Sequence, residues 1–174
     1  MPARCPRPHP RSAVTVLYAP ADGKLLSCTE ATFQKRRFLI PFGSFFENGT
    51  SVLHLCILPA GKLLHAPVTG IVTHADPTCP CFFIEGHQRT ALWLHTRDGD
   101  PLSLAKEAFL PLVAPGAPVG RIGQLLGRLD TSLLHKNGIL LSLLTAPSGG
   151  RLRYRTHTLI GGQTPLLTAE RPNL

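Results

Sequence analysis

A histidine that closes a β-like run is the residue best placed for chemistry in this chain. Thr90-Ala91-Leu92-Trp93-Leu94 delivers His95 just before the polar turn Thr96-Arg97-Asp98-Gly99-Asp100. A ring presented at a surface there can exchange a proton, a metal ion or a phosphoryl group. The structural alternative is a strand-end histidine packed on Trp93, which shares its strand face. Cys79-Pro80-Cys81 is spaced too tightly for the usual CxxC metal knuckle, and no second Cys pair or His-x-His completes a tetrahedral set. Two half-buried thiols on a strand are expected instead, with no metal. The chain carries no Ser-His-Asp elbow, phosphate-binding loop or paired-carboxylate motif.

The elements that must hold His95 read as strands and turns. Val14 to Tyr18 is closed by the turn signal Pro20-Ala21-Asp22-Gly23, Lys24 to Cys28 starts the next strand, and Val52 to Leu58 is closed by Pro59-Ala60-Gly61. Lys62 to His65, Gly70 to His74, Cys81 to Glu85, Thr90 to His95, Leu125 to Leu129, Ile139 to Leu144 and Pro165 to Thr168 continue the series. Leu102 to Leu112, bracketed by Pro101 and Pro111, has the spacing for a turn or two of helix. Leu129 to His135 is a second helical candidate, with Asp130 or Thr131 as its cap and Gly138 as its stop. Turn signals at such short spacing imply an all-β fold, an antiparallel β-sandwich or flattened barrel. Ala19-Pro20-Ala21-Asp22-Gly23 and Ala66-Pro67-Val68-Thr69-Gly70 echo each other, each before an apolar run, which suggests two related β-units packed together. Asp22, Gly23, Thr69 and Gly70 are expected in turns at strand ends.

Composition narrows the function classes. A length of 174 residues suits one domain with a full core. Residues 1–13 read as a disordered basic tail and 14–170 as a single β domain. The net charge of +8 raises nucleic acid as a partner, but the charge sits in local groups such as Lys35-Arg36-Arg37, with no aromatic-interleaved basic strand to stack bases. Nucleic-acid binding is therefore not expected. Five cysteines, an odd number without framework spacing, fit a reducing compartment. With no signal-peptide stretch or transmembrane run, a cytoplasmic protein is expected. Asn48-Gly49-Thr50 then reads as a turn rather than a glycan acceptor.

These blocks resemble the glucose-type enzyme IIA components of the bacterial sugar phosphotransferase system. Ala19 to Gly23 is similar to the family's first Ala-Pro-x-x-Gly block, and Pro59-Ala60-Gly61-Lys62 leads to Ala66 to Gly70 like its second. From Gly70 to His95 the chain lies against the family pattern without a gap, and His95 falls on the histidine that the family phosphorylates. Leu129-Asp130 resembles its Phe-Asp-Leu turn, Leu144-Thr145-Ala146-Pro147 its Leu-Thr-Pro strand, and Gly161-Gly162-Gln163-Thr164-Pro165 its closing Gly-x-Thr-Pro. The likeness covers about residues 14–170. It implies a duplicated hybrid-motif β fold in which His95 takes a phosphoryl group from a phosphocarrier protein and passes it to a sugar permease domain. The protein would be a monomer that needs no cofactor and meets the membrane only through that permease.

The chain departs from the family at two points. The family's second histidine is replaced by Pro80, which offers neither a side-chain donor nor an N–H to the roughly two negative charges of a phosphorylated imidazole. Thr78, on the family's threonine position, keeps one hydroxyl donor, and His74 reads as a surface histidine, with folding back to replace the lost ring as the alternative. The family's apolar segment after the phosphorylated histidine is polar here. Arg97 opposes a basic donor, whereas Asp98, Asp100 and Glu47 could receive one. The competing class is a regulatory module that acts by docking alone. Two further classes share parts of the pattern. Zinc endopeptidases of the lysostaphin type need a His-x-His strand that is missing here. Phosphatidylserine decarboxylases match Pro20-Ala21-Asp22-Gly23, Asn48-Gly49-Thr50 and His65-x-Pro67-Val68-x-Gly70, but their Gly-Ser-Thr is missing, and Asp130-Thr131-Ser132 stands after Leu129.

Overall fold

The structure, a computed structural model, describes residues 15–34, 45–76, 81–96, 109–136, 138–146, 151–152 and 158–169. The strands are β1 (Thr15–Tyr18), β2 (Gly23–Thr32), β3 (Ser51–Pro59), β4 (Leu63–His65), β5 (Gly70–Asp76), β6 (Cys81–Glu85) and β7 (Arg89–His95). They continue with β8 (Phe109–Pro111), β9 (Pro118–Val119), β10 (Leu125–Leu129), β11 (Leu140–Ala146), β12 (Arg151–Leu152), β13 (Thr158–Leu159) and β14 (Pro165–Ala169). Helix α1 (Thr131–Lys136) precedes β11. Eight strands form one antiparallel sheet in the order β13-β2-β3-β11-β7-β6-β5-β9, beside two three-stranded sheets, β1-β14-β12 and β4-β10-β8. The fold is all-β and sandwich-like. The barrel alternative is not realised, because the large sheet stays open at β13 and β9 among the described residues.

Alternation with period two gives the large sheet two faces. Leu53, Leu55 and Ile57 of β3, Leu141 and Leu143 of β11, Leu92 and Leu94 of β7 and Phe82 and Ile84 of β6 join the main core, with Leu64, Phe109, Leu126 and Leu166 of the smaller sheets. Each fully buried Leu or Phe contributes about 1.5–3 kcal/mol. The intervening residues point to the opposite, outer face, where Val52, Leu144, Ala91, Phe83, Trp93 and Cys81 pack beneath Phe33, Phe45 and Phe46. Phe45 stacks on Phe83 at 4.6 Å, and Arg89 donates to its carbonyl at 3.0 Å, so this cover is tied to the sheet.

The sequence echo is a structural repeat. Tyr18 N–H donates to the Pro67 carbonyl at 3.1 Å and His65 N–H to the Pro20 carbonyl at 2.6 Å, a reciprocal pair that joins the two Ala-Pro blocks. Ala19 N–H reaches the Thr164 carbonyl at 2.8 Å as Ala66 N–H reaches that of Gln124 at 2.7 Å. Gly23 and Gly70 open β2 and β5 with φ of 154°. At Gly70 a Cβ would lie 2.5 Å from the Glu85 carbonyl oxygen, so this close approach of strands excludes any side chain. The expected turn at Asn48-Gly49-Thr50 is present, with Thr50 N–H on the Glu47 carbonyl and Gly49 at φ 90°.

The two helical candidates part ways. Asp130 caps α1, its Oδ1 accepting from Ser132 and Leu133 N–H at 3.1 and 3.3 Å and from Ser132 Oγ at 2.6 Å. These bonds, led by the Ser132 hydroxyl, hold the Asp130 carboxyl below its ordinary pKa. Gly138 at φ 64° follows the helix. Within Leu102 to Leu112, however, Phe109–Pro111 is strand β8, and residues 102–108 lie outside the described residues. Pairing with β10 and the edge contact of Phe109 on Phe82 at 5.2 Å override the local helical spacing. The tail 1–13 also lies outside the described residues.

Candidate functional site

The polar side chains of the outer face converge on one serine. Register places Ser142 of β11 opposite Cys56 of β3 and Trp93 of β7, while Leu144 faces His54 and Leu140 faces His95. His54 and His95 therefore lie diagonally on either side of Ser142, one step up on one neighbouring strand and one step down on the other, within reach of a long side chain. His54 Nε2 is 2.8 Å and His95 Nε2 2.5 Å from Ser142 Oγ. Nδ1 of His95 is 2.5 Å from the Thr96 carbonyl.

Proton counting gives this chain a direction. A carbonyl only accepts, so His95 Nδ1 carries a proton, and the neutral ring has a bare lone pair at Nε2. Ser142 has one proton and donates it to that lone pair. Its oxygen then accepts from His54, which must be protonated at Nε2. The ordered chain runs from His54 Nε2–H through Ser142 Oγ–H to His95 Nε2.

Electrostatics keep the chain in that state. Burial lowers the pKa of His95, partly offset by the Thr96 carbonyl, so the ring is neutral at pH 7. Cys56 lies beside the serine, and burial raises the pKa of its thiol, which stays protonated. Trp93 lies against the His95 ring at 4.2 Å between centroids and 35° between planes. Its Nε1 is buried without a hydrogen-bond partner among the described residues. The serine and His95 have the spacing of a nucleophile and its base. Ser142 is nevertheless fully buried at the centre of a sheet whose ladder runs to both sides, so the backbone N–H groups of the paired strands are engaged in the ladder rather than aimed at an oxyanion. Among the described residues no set of three His, Cys, Asp or Glu side chains is placed to hold a metal ion.

No protein-family model and no curated protein matches the sequence. Among solved structures, a glucose permease IIA from Mycoplasma capricolum matches with a TM-score of 0.62 at 20% identity, over 90% of this chain and 96% of that one. The chain has the IIA fold. Among the described residues, no helix is long and apolar enough to cross a membrane.

On that fold, His95 ends β7 as expected but is not presented at a surface. It is only 6% exposed, because its Nε2 turns inward to Ser142 and Trp93 covers its ring. The packing of its ring on Trp93 is the structural alternative read from the sequence. His74 is neither a surface histidine nor folded back toward β7, and it is half-buried. It stacks on Phe83 at 4.8 Å on β5, with β6 between it and β7. Cys81 is buried at 1% rather than half-buried, packed under the outer-face aromatics. Thr78, Cys79, Pro80, Arg97, Asp98 and Asp100 lie outside the described residues, and Glu47 is exposed in its turn. His54 and Ser142 escaped the sequence reading. Each is the lone polar residue between leucines, in Leu53-His54-Leu55 and Leu141-Ser142-Leu143. A polar residue so placed in a buried strand demands a hydrogen-bond partner, which is the signal that points to it.

Proposed function

We propose that the chain is a divergent phosphocarrier of the enzyme IIA type, in which His95 Nε2 accepts a phosphoryl group from a phosphocarrier protein and passes it to a sugar permease domain. The observation that carries this reading is the fixed tautomer of His95. Its Nδ1 proton is held on the Thr96 carbonyl, so the neutral ring directs its nucleophilic lone pair through Nε2. The IIA fold supports the reading, as does the half-buried state of His54 and Cys56, which makes β3 the open side of the cluster. The phosphohistidine is itself the carrier, so the reaction calls for no cofactor. Thr78 is proposed as a further hydroxyl donor to the phosphoryl oxygens. The protein would work as a monomer in the cytoplasm and meet the membrane only at its permease partner.

Burial favours a second reading. With His95 6% exposed and Ser142 Oγ in front of Nε2, the resting site is closed, as befits a module that regulates partners by docking alone. Intact-mass measurement after incubation with phosphoenolpyruvate, enzyme I and the phosphocarrier separates the two. The carrier reading expects an added phosphate that His95→Ala abolishes. No added mass with the cognate donor would leave the docking module as the function.

A further inference from the structure

We infer that the outer face of the sheet β4-β10-β8 is the docking site of an amphipathic acidic helix of a partner protein. The inference is independent of the chemistry of His95, which belongs to the outer face of the large sheet, across the main core. Leu64, Phe109, Leu126 and Leu129 turn one face of the small sheet into that core. An antiparallel sheet buried on one side ordinarily turns polar residues to water on the other. Here Leu63, Leu110, Leu112 and Leu125 are instead 40, 55, 44 and 38% exposed. Register and alternation gather them on one face. Leu63, Arg128 and Leu110 stand opposite one another in a row across the three strands, Leu125 is opposite His65, two residues along β4, and Leu112 is two residues past Leu110. The exposed Arg128 therefore stands between leucines, and no carboxylate pairs with it among the described residues. Lys62, at the rim, is within electrostatic reach of Asp130.

The face selects its occupant. Strand addition is opposed at both edges. On β4 the His65 N–H is taken by the Pro20 carbonyl at 2.6 Å, and on β8 the Leu112 N–H bonds the Leu126 carbonyl, so by alternation Pro111, which has no N–H, falls on the outer edge. A partner is therefore seated on the side chains rather than on the backbone. Three strands span about 10 Å from first to last, and one helix with its side chains is about 10–12 Å wide. A second copy of the chain needs more surface, since a patch of this kind is on the order of a few hundred Å² whereas a standard stable interface buries about 800 Å² per partner. A lipid surface is recognised by clusters of about 4–8 cations, whereas Arg128 is the single cation within the leucine rows. The apolar stripe of a helix fills those rows, and a carboxylate flanking the stripe meets Arg128 and fixes the orientation.

The test titrates the nitrogen-labelled full chain with two synthetic amphipathic helical peptides that share a leucine stripe and differ at one flanking position, glutamate in one and lysine in the other. The glutamate peptide should shift the backbone amide signals of β4, β10 and β8 and bind roughly tenfold more tightly than the lysine peptide. Arg128→Glu should reverse that order, and Leu110→Ser should weaken both peptides about tenfold. Both positions are exposed, so the signals of the His95 cluster should stay in place in either variant. The reversal is a readout that leucines adhering to any apolar surface would not give. No shifts on these three strands, or equal affinity for the two peptides, would overturn the inference. Binding to phosphatidylglycerol vesicles that Arg128→Glu abolishes, without peptide binding, would assign the face to lipid instead. A dimer in sedimentation that Leu110→Ser dissociates would assign it to a second copy, and either result overturns the helix partner. Phosphoryl transfer enters none of these measurements, so their failure and that of the phosphocarrier reading are separate results.

Discussion

The two faces of the eight-stranded sheet are cut from the same strands and differ in kind. On the inner face, β3, β11, β7 and β6 contribute mainly apolar side chains, from Leu53 to Ile84, with the hydrogen-bonded hydroxyls of Thr90 and Thr145 at one end, and the smaller sheets close over them. On the outer face the same strands place His54, Cys56, Ser142, Trp93 and His95 within two rows of one another. The aromatic cover of Phe33, Phe45 and Phe46 packs with the rows of Leu144 and Ala146, and Trp93 stands between it and His95. Apolar packing is non-directional and responds to volume, whereas the polar cluster depends on which atom holds each proton. One face holds the sheet together, and the other uses its rigidity to aim a lone pair.

That contrast predicts unequal responses to truncation. Leu143→Ala on the inner face should cost roughly 2–5 kcal/mol by denaturant unfolding, because the site is fully buried and can collapse only partly. Ser142→Ala, its neighbour on the outer face, should cost less, about 1–3 kcal/mol, since it creates little cavity but withdraws the shared partner of two imidazole nitrogens. Equal costs, or a Ser142→Ala variant as stable as wild type, would break the distinction between the faces.

Much of the fold was legible because strands here are short apolar runs stopped by turn residues; β6 and β10 coincide with the runs read from the sequence. The repeat was legible for the same reason, since Gly23 and Gly70 are fixed by backbone approach rather than by distant side chains. β8 was not legible, because the local spacing around Phe109 suits a helix and only pairing with β10 decides otherwise. The site was half legible. His95 is marked by its place at a strand end, but His54 and Ser142 are 88 residues apart and meet only through the register of β3 on β11.

The smallest expected effect is a pH dependence that the outer face contributes and the inner face cannot. The pKa of His95 is lowered in the folded state below the ordinary 6.5, so between those two values the unfolded chain binds more protons than the native one. Stability from this group is present above pH 6.5 and is lost as pH falls through that window. His95→Phe should flatten the curve of unfolding free energy there, while Leu143→Ala should lower it without changing its slope. An unchanged slope in His95→Phe would mean that another group titrates.

The most direct test of the ordered chain from His54 through Ser142 to His95 is nitrogen NMR of the histidine side chains in the unphosphorylated protein at neutral pH. The structure requires a neutral His95 protonated at Nδ1, with Nε2 unprotonated and hydrogen-bonded, and a proton on Nε2 of His54. A His95 ring that is charged, or protonated at Nε2, would contradict it, because neither form offers an Nε2 lone pair to Ser142.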